Sequence, residues 1–66
     1  MIYKKPELTA EQLDVLNELI KLAGIGCFKE LSCLNEHQGT VIQQLVKCGY
    51  VSVYKGKQKF LVLMSP

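Results

Sequence analysis

The side chains in this chain best suited to chemistry are its three thiols and its single imidazole, Cys27, Cys33, Cys48 and His37. Written in order they read Cys27-x5-Cys33-x3-His37-x10-Cys48. Zinc sites usually open with Cys-x₂₋₄-Cys, so this spacing does not predict a metal site, and no cofactor is expected. An odd number of cysteines with no signal-peptide-length apolar stretch also argues against a disulfide framework. The thiols are expected to behave as small buried hydrophobes. A catalyst is not expected either. The chain has one histidine, no glycine-rich phosphate loop and no paired carboxylates among apolar neighbours, and 66 residues are too few to enclose a substrate pocket.

The lysines are more informative. Residues 1–36 hold Lys4, Lys5, Lys21 and Lys29 against six acids, a balance of −2. Residues 37–66 hold Lys47, Lys55, Lys57 and Lys59 and no acid, a balance of +4. A lysine-bearing, acid-free half is the electrostatic footprint of a polyanion-binding face. Close to it in the chain lie amides and hydroxyls able to address base edges: Asn35, Thr40, Gln43 and Gln44. Every basic residue is a lysine, so the two-pronged arginine contact to guanine is missing. Readout through glutamine and threonine favours A·T-containing sites or low sequence specificity.

These groups need elements to position them. Thr9 and Gln12 have capping-box spacing, and Leu8 and Leu13 stand where a hydrophobic staple would close around that cap. A helix is predicted over 9–23, with Leu13, Leu16, Leu19, Ile20 and Ala23 facing inward and Gly24 as its stop. Ile25-Gly26 is a connector or a stub of strand. A second helix is predicted over 27–33, with Phe28, Leu31 and Leu34 turned inward. Asn35 and Gln38 repeat the capping-box spacing and start a third helix over 35–48, buried along Val41, Ile42 and Leu45 and closed by Gly49. At 100° per residue its opposite face holds Glu36, Thr40, Gln43, Gln44 and Lys47. From Tyr50 the period becomes alternating, which predicts a hairpin over 50–64. Lys55-Gly56-Lys57-Gln58 fits a type II′ turn with glycine at its first central position. That register sets Val53 opposite Phe60 and Val51 opposite Val62 on one face.

Two helices joined by so tight a turn, followed by a hairpin, make the fold class α+β: a winged helix-turn-helix of three helices and a two-stranded wing, in one domain spanning 1–66 with an arm at 1–8. The chain resembles the winged helix-turn-helix family, in particular small MarR-like bacterial, archaeal and phage regulators, over roughly residues 9–64. The resemblance is carried by Phe28-Lys29-Glu30-Leu31, by Thr40 to Val46, by the junction Lys47-Cys48-Gly49-Tyr50-Val51 and by the Lys55–Lys59 tip. It implies a transcriptional regulator bound to double-stranded DNA, with the third helix in the major groove. Asn35, Thr40, Gln43 and Gln44 would then meet base edges and Lys47 a phosphate, while Tyr54, Lys55, Lys57 and Lys59 would meet the backbone or minor groove.

Winged helices also serve as protein-binding modules: a subunit, an accessory factor or a phage-type inhibitor whose lysines meet an acidic partner. Tyr50, Leu61 and Leu63 are expected on the outer face of the hairpin, covered by the N-terminal arm or by a second copy in a homodimer. No apolar run approaches the roughly 20 residues that span a bilayer, so no membrane role is expected and a cytoplasmic location is.

Overall fold

The computed structural model describes residues 7–66. The expected cover of the hairpin by Ile2 and Tyr3 of the arm falls on residues outside that range. Helix α1 spans Ala10–Ala23, and its capping box is formed: the Thr9 hydroxyl accepts from the Gln12 amide at 3.1 Å, and Gln12 Oε1 accepts from the Thr9 amide at 3.1 Å. Its buried face is Val15, Leu16 and Leu19, with Ile20 and Ala23 alongside and Leu8 packed below. Leu13, expected inside, is 37% exposed. At 100° per residue it sits about 110° from the centre of the buried face, and Val15 takes its place.

The segment predicted as the second helix is extended instead. Gly24 and Gly26, at φ 81° and 79°, adopt backbone that side-chain-bearing residues rarely use, and they swing the chain off α1 onto a sheet edge. The Gly26 amide donates to the Val62 carbonyl at 2.9 Å, and Ile25 bridges to Val62. Strand β1, Phe28–Glu30, then pairs antiparallel with Leu61, Phe60 and Lys59. The Leu31 amide continues the ladder to the Gln58 carbonyl at 2.8 Å. Only a single 3₁₀ turn, Leu31–Cys33, follows, closed by the Leu34 amide on the Leu31 carbonyl at 3.0 Å. A seven-residue helix would be marginal by itself, whereas an extended segment satisfies the open edge of the hairpin. Too few residues separate Gly26 from the Asn35 cap to build both a strand and a helix. Among the described residues, the expected three helices and helix-turn-helix are therefore corrected to two α-helices and a three-stranded antiparallel sheet in the order β1-β3-β2.

Helix α2 spans Glu36–Lys47, with its own capping box: Asn35 Oδ1 accepts from the Gln38 amide at 2.8 Å and Gln38 Oε1 from the Asn35 amide at 3.0 Å. Its C-terminus is a Schellman motif. Gly49, at φ 84°, donates to the Val46 carbonyl at 3.0 Å, and the Tyr50 amide donates to the Leu45 carbonyl at 3.0 Å. That motif folds Tyr50 back against the core, where it is 2% exposed, so its expected place on the outer face is corrected.

Strands β2 (Val51–Tyr54) and β3 (Lys59–Val62) have the expected register, Val51 opposite Val62 and Val53 opposite Phe60. The turn differs. Lys55–Lys57 form a 3₁₀ turn and Gln58, not Gly56, takes the left-handed conformation at φ 55°. Four residues connect the Tyr54–Lys59 pair, a length built around a helical turn rather than a type II′ pair. The Gln58 side-chain amide helps to hold it, donating to the Lys55 carbonyl at 2.9 Å.

The core unites both helices and the inner sheet face: Val15, Leu16 and Leu19; Val41, Ile42 and Leu45; Tyr50, Val51, Phe60 and Val62. Of the thiols expected in it, Cys48 packs against its margin and the other two do not join it. Cys27 and Cys33, which flank the edge strand, are exposed, and Cys48 is half-buried. Among the described residues no helix is long and apolar enough to cross a membrane.

Candidate nucleic-acid interface

The nine residues expected to meet nucleic acid divide between different surfaces. Asn35, Gln43 and Lys47 on the α2 side and Lys55 at the hairpin tip border one groove of about 450 Å³. Gln43 and Lys47 are exposed on the helix face opposite the buried Val41, Ile42 and Leu45. Among the described residues neither side chain is engaged elsewhere. Lys55 and Lys57 stand exposed on the tip turn.

Three of the polar candidates are already occupied. Gln44 turns toward α1, where its Oε1 accepts from Gln12 Nε2 at 2.6 Å. The Thr40 hydroxyl donates to the Glu36 carbonyl one turn back at 3.0 Å. The Asn35 carboxamide oxygen caps α2. Each would have to give up a protein hydrogen bond, or share its oxygen, to contact a base. Gln43 carries no such cost.

Lys59 and Tyr54 lie on the outer sheet face. Lys59 pairs in register with Glu30 on one side and Tyr54 on the other. The Tyr54 ring meets the Phe28 ring edge-on, with centroids 5.4 Å apart at 63°. Lys59 shares a shallow pocket there with Phe28, Lys29, Glu30 and Cys33, separate from the groove. Lys59 thus has Glu30 as a register neighbour from the acidic half of the chain, whereas no acid is among the residues that line the groove with Lys47 and Lys55.

Leu31, Leu34 and Val53, expected only as inward-facing residues, line the groove between its polar residues together with Val46. At 100° per residue Val46 falls on the flank of the stripe Val41, Ile42 and Leu45, the signal in the sequence for an apolar edge there. Among the described residues no three His, Cys, Asp or Glu side chains gather into a metal-binding group. No protein-family model, curated protein or solved structure matches the chain.

Proposed function

We propose that this protein binds duplex DNA and regulates transcription in the cytoplasm, as a reduced winged helix whose second helix has shrunk to the Leu31–Cys33 turn. The outer face of α2 enters the major groove, Gln43 reads base edges, Lys47 meets a phosphate, and the tip lysines Lys55 and Lys57 lie on the flanking backbone. One observation carries this reading: Gln43, Lys47 and Lys55, unengaged among the described residues and drawn from two different elements of the acid-free half of the chain, border one groove. Element order supports it, since a doubly capped helix is followed at once by a basic hairpin. The apolar core fixes the hairpin against α2, so the short tip turn that carries Lys55 and Lys57 is held on a packed scaffold.

Phosphate contact supplies most of the affinity in such a design, and base reading adds modest preference. The test is fluorescence anisotropy of a labelled duplex at several salt concentrations. Micromolar binding that weakens steeply with salt supports the reading. Absence of binding at low salt rejects it.

A further inference from the structure

We propose that the groove between α2 and β2 is a docking site for a short acidic amphipathic segment of a partner protein. The inference goes beyond DNA binding, because it rests on the part of the groove a phosphate cannot use. Leu31, Leu34, Ile42, Val46 and Val53 line it, and Val46 is 38% exposed on a helix whose opposite flank is already in the core. Lys47 and Lys55 stand at its rim, and no carboxylate is among its lining residues. DNA would engage the ammonium groups and leave the apolar side chains wet. A purely apolar partner would cover the side chains and leave two like charges facing it uncompensated. An occupant with apolar anchors and flanking acids satisfies both, and its charge is the complement of the rim.

Geometry sets the size of that occupant. Helix α2, Glu36–Lys47, is about 18 Å long, which matches about three turns of a helix laid in the groove with anchors at i, i+3 or i+4 and i+7. A contact so small belongs to the weak, transient class, so binding is micromolar or weaker. DNA and such a segment meet at Lys47 and Lys55, and each would displace the other.

The probe is a fluorescein-labelled helical peptide of about 12 residues, with leucines on one face and glutamates beside them. Anisotropy and backbone amide shifts are read on the full chain with no DNA present. The expected result is saturable binding with shifts concentrated at Leu34, Val46 and Val53. Val46→Ser and the double change Lys47→Glu, Lys55→Glu should each weaken it on the order of tenfold, while Lys57→Glu leaves it nearly unchanged. Unaltered far-UV circular dichroism and melting temperature establish that the variants fold.

Three outcomes overturn the proposal: no shifts at millimolar peptide, equal binding of a scrambled peptide of the same composition, or shifts confined to Phe28 and Leu61 on the outer sheet face. Because the titration contains no DNA, its failure leaves the DNA reading standing, and a failed DNA titration leaves this one standing.

Discussion

Gln12 of α1 and Gln44 of α2, 32 positions apart in the chain, share a side-chain hydrogen bond of 2.6 Å across the exposed seam between the helices. That bond removes Gln44 from the surface offered to DNA and makes it part of the scaffold. Gln44→Ala should therefore lower stability by about 0.5–1 kcal/mol and leave sequence preference alone. Gln43→Ala should do the reverse, altering preference among duplexes with an unchanged urea midpoint. A binding-site selection beside a urea titration of each variant separates the two. Altered preference in the Gln44 variant would return it to the interface.

Two glycines of the α2 region should respond to alanine with opposite signs. Gly49 holds the left-handed position of the Schellman motif at φ 84°, so Gly49→Ala strains the backbone although the space beside it is open. A loss of about 1 kcal/mol is expected. Gly39 lies inside α2 with ordinary helical backbone, and a methyl group on its Cα would meet nothing within 4 Å. Gly39→Ala should gain about 0.5–1 kcal/mol from helix propensity. Thermal melts of the two variants beside the parent check both signs.

What is legible in this sequence is what neighbours decide. Thr9 with Gln12 and Asn35 with Gln38 are each three apart, and both caps form. Gly49 ends its helix, and the alternation from Val51 to Val62 sets the hairpin register. What is illegible depends on distant partners. Phe28-Lys29-Glu30 has no strong preference of its own and becomes a strand because β3 presents an open edge to it. Leu13 and Val15 exchange places because the helix turns to meet both α2 and β3. At the candidate site, Gln43, Lys47 and Lys55 are found where the helical and strand periods put them. Thr40, Gln44 and Lys59 share that pattern, yet their hydrogen bonds and register partners draw them elsewhere.

The two phenylalanines of the sheet are expected to differ sharply. Phe60 is fully buried on the middle strand, within the core that both helices and the sheet share. Phe60→Ala should cost about 3–5 kcal/mol, most of the margin a domain this small can hold, and leave the chain largely unfolded at 37 °C. Phe28 is 56% exposed, and its ring meets that of Tyr54 edge-on. Phe28→Ala should cost about 0.5–1.5 kcal/mol. Guanidinium unfolding followed by tyrosine fluorescence measures both, and equal losses would contradict the outer-face placement of Phe28.

The salt dependence of DNA binding tests how the lysines divide. If Lys47, Lys55 and Lys57 each neutralise one phosphate, the slope of log affinity against log salt is about −0.9 per contact, or about −2.7 for the monomer. Lys57→Ala should reduce its magnitude by about 0.9 and weaken binding alike on every duplex, since a backbone contact carries no sequence information. Lys59→Ala should change neither slope nor affinity, because Lys59 pairs in register with Glu30 on the outer sheet face, apart from the groove. If removing Lys59 reduced the slope as much as removing Lys57, the outer sheet face would have to be part of the DNA surface. The major-groove placement of α2 would then be lost, since Lys59 and Gln43 belong to different faces of the molecule.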